Sequence, residues 1–130
     1  MKDVSGWPLL VLMDQVKEWA DSARSEALGQ TRAEHAMWAE RLRGSAKEVV
    51  VWLELHGQEA AAGELDAAMV QFREAVWVFG RACVGAYPPD DAQCREWRER
   101  MIGSADHVSG VCEDLHGTVP RGTWEGFPDD

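Results

Sequence analysis

Apolar side chains recur every three or four residues along most of the chain, which is the spacing of amphipathic helices. Gly29, Gly57 and a connector over residues 85–91 that contains Pro88 and Pro89 interrupt this pattern. The interruptions leave four helical segments: about Pro8 to Leu28, about Arg32 to His56, Leu65 to Val84, and a fourth that ends at Gly117. Short connections make consecutive helices antiparallel. The sequence therefore predicts an all-α, single-domain, mainly antiparallel four-helix bundle over residues 1–117.

The third helix carries two apolar stripes. Its second stripe consists of Val70, Trp77 and Val84, which are seven residues apart. Its broader first stripe contains Leu65, Ala68, Met69, Phe72, Val76, Phe79 and Cys83. A helix with two apolar faces needs more than one neighbour, so the rest of the bundle is expected to pack around it. The start of this helix is left open, because Gln58–Gly63 suits either an earlier helical start or a loop.

The other helices each show an inward face. Seven-residue spacing in the fourth helix predicts a bundle seam through Cys94, Met101, Val108 and Leu115. The first helix is predicted to bury Leu9, Leu12, Met13, Val16, Trp19, Ala20, Ala23 and Ala27, and the second to bury Trp38, Leu42, Val49, Trp52 and Leu53.

Residues 118–130 form a tail that contains Pro120, Gly122, Gly126 and Pro128 and is predicted to be non-helical. The tail nonetheless carries Trp124 and Phe127. Two interpretations suit these rings: they pack across a groove of their own bundle, or they bind a partner. Packing on the bundle is favoured, because a tryptophan on a free arm promotes aggregation.

Composition narrows the class of partner. The chain has 23 acidic and 13 basic side chains and a formal net charge of −10. This balance argues against direct binding to nucleic acid or to an anionic membrane, and it favours a partner protein with a basic surface. Seven tryptophans in 130 residues are difficult to bury in one small bundle, so one or more is expected at a binding surface. Trp77 is the candidate.

The cysteine content and the length of the apolar runs indicate the cellular compartment. No apolar run approaches the ~20 residues that span a bilayer. Three cysteines, an odd number, do not form a disulfide framework and are typical of a reducing environment. The sequence predicts a cytoplasmic protein.

Two pairs of residues near the end of the fourth helix resemble parts of metal sites. Glu113 and His116 have the i, i+3 spacing found in carboxylate-bridged di-iron bundles, and Cys112 lies one turn before His116. A di-iron site needs a second such pair and further glutamates, and a structural zinc site needs four ligands. The sequence therefore predicts no metal and no other cofactor.

No local sequence indicates a nucleophile elbow, a catalytic triad or a glycine-rich phosphate loop. Enzymes need polar groups that converge in a cleft, whereas the predicted helix interiors are apolar. The chain is therefore predicted not to be an enzyme.

The outer face of the fourth helix is acidic. Glu99, Asp106 and Glu113 recur every seven residues opposite the seam, and we call this row the acidic ridge. Such a row is suited to occupying a basic channel that normally holds phosphates. Heptad spacing separates the carboxylates by ~10.5 Å, which is sparse beside a phosphate backbone. A solvated outer face is the competing interpretation.

In size, acidity and lack of catalytic motifs, the chain resembles small phage-encoded inhibitors of bacterial defence, such as anti-CRISPR proteins, and immunity proteins that neutralise toxins. The resemblance implies a non-enzymatic inhibitor that blocks a basic, nucleic-acid-binding surface of another protein. Two alternatives remain open: a self-associating structural bundle, such as a homodimer, and a small-ligand or metal-dependent enzyme. The candidate binding residues are Trp77, Glu99, Asp106, Glu113, Trp124 and Phe127.

Overall fold

Four α-helices pack against one another in a ring. The computed structural model of the protein describes the backbone of residues 8–25, 32–84 and 91–127 and the side chains of residues 8–24, 37–81 and 92–127. The helices are α1 (Pro8–Ser25), α2 (Arg32–Leu55), α3 (Glu59–Val84) and α4 (Asp91–Thr118). Each helix packs on the next, and α4 closes the ring against α1. The predicted four-helix bundle is confirmed. The predicted end of the first helix at Leu28 and most of the Pro88-Pro89 connector lie outside the described residues.

A tight turn joins α2 to α3. The Gln58 amide donates to the Leu53 carbonyl over 2.8 Å, and the Gly57 amide donates to the Glu54 carbonyl over 3.4 Å. This paired arrangement is a Schellman motif, which requires a left-handed residue, and Gly57 supplies it with a φ of 79°. The Gln58 carbonyl then accepts the first hydrogen bond of α3, from Ala62. Residues 59–63 are therefore helical, which decides the question that the sequence left open.

The core lies along the predicted inward faces. The side chains of Leu12, Leu53, Leu65 and Val108, one from each helix, are at most 1% exposed. At the centre, the rings of Trp19 on α1 and Phe72 on α3 meet edge to face, with their centroids 4.9 Å apart. Because α1 and α3 lie diagonally opposite in the ring, this contact spans the whole core.

Polar contacts join α1 to α4 at the surface. The Arg24 guanidinium forms an ion pair with Asp106. The Arg98 guanidinium donates to the Arg24 carbonyl over 2.9 Å, near the end of α1. A cation at the C-terminal end of a helix satisfies a free carbonyl and offsets the helix dipole. These contacts hold the end of α1 against the first half of α4.

The tail crosses the end of the bundle to α2. The prediction of a non-helical tail is wrong in part, since Arg121–Trp124 form a short 3₁₀ helix. Pro120, with a fixed φ, begins this turn, and its carbonyl accepts from the Thr123 amide over 3.0 Å. The Trp52 indole N–H donates to the Thr123 carbonyl over 2.7 Å. The tail thus connects α4 to α2, which lies diagonally opposite it in the ring.

Two sequence expectations about side-chain burial are wrong. Trp38 was expected on the buried side of the second helix, but its side chain is 51% exposed. A cavity of about 700 Å³ lined by residues of α1 and α2, including Trp19 and Trp38, lies at this level, so α1 does not cover the Trp38 ring. Among the described helices, none covers the second stripe of α3, since Val70 and Trp77 are exposed. The side chain of Val84 lies outside the described residues.

The diagonal aromatic contact yields a stability prediction. Phe72→Ala removes a fully buried ring and one half of the edge-to-face pair, so it should lower the free energy of unfolding by about 3–5 kcal/mol. Urea denaturation followed by circular dichroism measures this change, with exposed Gln71→Ala as the matched control. A loss below about 1 kcal/mol would show that Phe72 is not central to the core.

Candidate functional site

Exposed apolar side chains concentrate on one side of the bundle. Among the described residues, seven large apolar side chains are exposed, and six of them belong to α2 or α3: Met37, Trp38, Val51, Leu55, Val70 and Trp77. The seventh is Val11 on α1, and α4 contributes none. An apolar surface confined to one helix pair is typical of an interaction site. The α2–α3 hairpin is therefore the candidate binding element.

These side chains follow a heptad pattern on both helices. On α2 the outward positions are Met37, Gly44 and Val51, and on α3 they are Gly63, Val70 and Trp77. We call this set of six residues the hairpin face. Counted from the turn at Gly57, the two helices place these residues side by side in three rows: Val51 beside Gly63, Gly44 beside Val70, and Met37 beside Trp77. The sequence signal for the α3 stripe was visible, but its continuation to Gly63 and its match on α2 were missed.

Trp77 is the most prominent residue of the hairpin face. Its side chain is 60% exposed, and the Arg81 guanidinium lies over its ring, 4.9 Å from the centroid. Stacking of a cation on an exposed indole restricts the ring without covering its outer side. A large amphipathic ring that is already ordered loses little entropy when a partner covers it.

A shallow groove of about 360 Å³ runs between α2 and α3 beside the hairpin face. Its charged lining is divided along its length, with Arg43, Lys47 and Arg73 toward one end and Glu54, Glu59 and Asp66 toward the turn. Glu40 partly neutralises the basic end, since its carboxylate accepts from the Arg43 guanidinium over 2.9 Å. That hydrogen bond, aided by the nearby charge of Arg73, lowers the pKa of Glu40, so this carboxylate is ionised at neutral pH.

The acidic ridge is exposed but not uniformly acidic. Glu99, Asp106 and Glu113 are all exposed on α4, as predicted. Asp106 is paired with Arg24, and a depression at the first half of the ridge is also lined by Arg95 and Arg98. The sequence had no means of placing Arg24, which is 82 residues from Asp106, beside the ridge. Glu113 is thus the ridge residue farthest from these cations.

The predicted tail residues face the bundle. Trp124 is buried, and Phe127 is half-buried with its ring centroid 5.2 Å from that of Trp52. The expectation that the rings pack on their own bundle is confirmed. Trp124 is only 7% exposed, so little of its ring is available to a partner.

The residues that resembled a metal site are separated by burial. Cys112 is fully buried, and loss of hydration raises the pKa of its thiol to about 12. A thiol in this environment is neutral at physiological pH and packs as a small apolar side chain. Glu113, in contrast, is exposed to solvent. In the part of the chain that the structure describes, no group of three or more histidine, cysteine, aspartate or glutamate side chains is arranged to hold a metal ion.

Comparison with known protein families, curated proteins and solved structures gives no match to this chain. No described helix has the length and apolar character needed to cross a membrane.

The placement of the tail leads to a second stability prediction. Truncation after Gly117 removes buried Val119 and Trp124 and leaves the Trp52 indole without its carbonyl partner. Loss of the Trp124 ring alone should cost about 3–5 kcal/mol. We therefore expect a clearly lower melting temperature with the helical circular dichroism signal retained. Glu125→Ala, an exposed change in the same segment, is the control, and an unchanged melting temperature on truncation would contradict the observed packing.

Proposed function

We propose that this chain is a non-enzymatic protein that acts by binding another protein through the hairpin face. The observation that carries this proposal is the 60% exposure of Trp77 in a row of outward apolar residues on α2 and α3. Exposed tryptophan is common at binding hot spots, and covering it removes a large apolar area from water. The net charge of −10 favours a protein partner over nucleic acid.

The chemistry of the interior supports a binding role over a catalytic one. The core between the helices is apolar, and Ser109 is the single buried polar side chain among the described residues. Catalysis requires ionisable or nucleophilic groups that converge in a sheltered cavity. The surface of the hairpin face is open and apolar, which suits association between proteins.

A cytoplasmic location belongs to the same proposal. Cys112 is a free, buried thiol in the described structure. Free, buried cysteines are typical of proteins in reducing compartments.

Inhibition of a basic surface, in the manner of anti-CRISPR or immunity proteins, is the second candidate function. The exposed row of Glu99, Asp106 and Glu113 on α4 favours it, together with the overall acidity of the chain. The arginines beside the first half of the ridge reduce its negative potential, which is why we place the hairpin face first.

Trp77→Ala tests the main proposal. Because the ring is mostly in solvent, the free energy of unfolding should change by less than about 1 kcal/mol, whereas partner binding should be lost. Tagged wild-type chain and the variant would be used to capture partners from lysate of the cells that produce the protein, with identification by mass spectrometry. Val11→Ala, a truncation of an exposed apolar residue on α1, should retain every partner. Equal capture by wild type and Trp77→Ala would overturn the proposal.

Charge reversal on the acidic ridge tests the second candidate. Glu99→Lys together with Glu113→Lys leaves the Arg24–Asp106 ion pair intact, so the bundle should remain folded. If a basic partner binds the ridge, association should slow by roughly tenfold at low salt and lose much of its salt dependence. Asp14→Lys with Glu64→Lys makes the same change in net charge elsewhere. An association rate that responds equally to both pairs of changes would exclude a specific role for the ridge.

A further inference from the structure

On the flank of the α3 stripe that borders α2, the charges change sign near Val70. Glu59 and Asp66 lie on this flank toward the turn, and Arg73 lies on it beyond Val70, whereas the opposite flank carries Glu74 and Arg81. All five side chains are exposed. None of them forms an ion pair with another side chain that the structure describes. In an antiparallel second copy, the acidic half of the flank that borders α2 would therefore meet the basic half.

We propose that the partner of the hairpin face is a second copy of this chain, packed antiparallel about a two-fold axis that passes Val70 and Gly44. This inference rests on the proposed function and names the partner for that surface. The two-fold axis lies in the plane of the interface and runs perpendicular to the helices. Rotation about it places α3 against α3 and α2 against α2, with each pair antiparallel.

The apolar residues of two such faces fit one another. In an antiparallel α3 pair centred on Val70, residues whose numbers add to 140 lie opposite each other. Trp77 of one copy then lies opposite Gly63 of the other, and the two Val70 side chains meet at the axis. Nothing else in the described structure lies within 4 Å of the position that a Cβ at Gly63 would occupy, so that position is open to receive an indole ring. The same arrangement on α2 places Met37 opposite Val51.

The charges fit in the same register. Arg73 lies within one residue of the position opposite Asp66 of the second copy and on the same flank of the stripe, so this pair forms twice across the axis. Arg81 lies at the level of Glu59, and Glu74 at the level of Asp66, but each on the opposite flank. Within one chain, Asp66 and Arg73 are seven residues, or about 10.5 Å, apart along α3 and form no ion pair with each other. A parallel arrangement of the same two helices would place each charge beside its own copy. The sign pattern thus selects the antiparallel dimer, as charges do beside the seams of coiled coils.

The area of the face is close to what a stable dimer needs. A pair of helices of about 24 residues, each ~10 Å wide, offers a surface of roughly 36 by 20 Å, or about 700 Å². Specific interfaces of ordinary size bury about 800 Å² on each partner. The hairpin face therefore accounts for most of the area that a stable association between two copies needs.

Charge exchange tests the dimer and its register. One variant carries Glu59→Arg and Asp66→Arg, so that the flank bordering α2 is entirely basic and Glu74 is the one acidic residue left beside the stripe. The other carries Arg73→Glu and Arg81→Glu, so that every charge beside the stripe is acidic. Wild-type full-length protein should show twice the monomer mass by light scattering and sedimentation at micromolar concentration. Each variant alone should dimerise more than about tenfold more weakly, because like charges then meet. An equimolar mixture should recover a dimer that contains one copy of each, identified by native mass spectrometry.

Circular dichroism confirms that every variant is folded. Each of the following outcomes then overturns the proposal. A wild-type monomer at these concentrations excludes the dimer, and if Trp77 is still needed for capture of a different protein, the proposed function survives without it. A dimer that both variants retain lies on another surface. Two weakened variants that do not recover when mixed exclude the antiparallel register. If Trp77→Ala affects neither dimerisation nor capture, the proposed function fails as well.

Discussion

The contact between Trp19 and Phe72 sets the dimensions of the bundle. A four-helix ring has four neighbouring pairs and two diagonals, and ridge-into-groove packing determines only the neighbouring distances. The edge-to-face pair fills the α1–α3 diagonal with two rings whose centroids are 4.9 Å apart. Since α1 and α3 are held at this separation, α2 and α4 must each pack into the gaps that remain. This packing buries the first stripe of α3 and leaves its second stripe exposed.

The tail occupies the other diagonal, but only at one end of the bundle. From the end of α4 it reaches Trp52 on α2 through the indole hydrogen bond to Thr123 and the ring of Phe127. At a different level, the cavity beside Trp38 separates α1 from α2. Among the four neighbouring pairs of helices, α1 and α2 share the least extensive contact. The hairpin of α2 and α3 is held by its short turn and by an extensive apolar seam, which suits it as a platform for binding.

Much of this architecture could be predicted from the sequence, because it depends on local spacing. The bounds of α2, the end of α3, the seam of α4 and the turn at Gly57 follow from periodicity and from a glycine that adopts a left-handed backbone, whereas the start of α3 does not. The exposure of Trp38 could not be predicted, because helical periodicity gives the direction of a side chain but not the distance to the neighbouring helix. The Arg24–Asp106 pair also depends on tertiary contact alone.

The candidate site, like the fold, could be predicted from the sequence only in part. Trp77 and the acidic ridge were visible as heptad patterns, and both lie on the surface. Which of two apolar stripes faces the core depends on how many neighbours α3 has, and a single sequence does not state that number. The continuation of the stripe to Gly63 was missed because a glycine gives no hydrophobic signal. Gly63 matters because the space above its Cα is open. That role becomes apparent only when the matching residues on α2 are placed beside it.

The short turn at Gly57 has a consequence for the order of events in folding. The hairpin face is built from two helices that are adjacent in sequence, and contacts between such neighbours form faster than contacts between distant segments. During synthesis this surface is complete once residue 84 has left the ribosome, while α4 is still unmade. At that stage α1 and α2 cover only part of the first stripe of α3. Packing of α4 on α3 then completes this cover and leaves the hairpin face as the apolar surface of α3 that stays exposed.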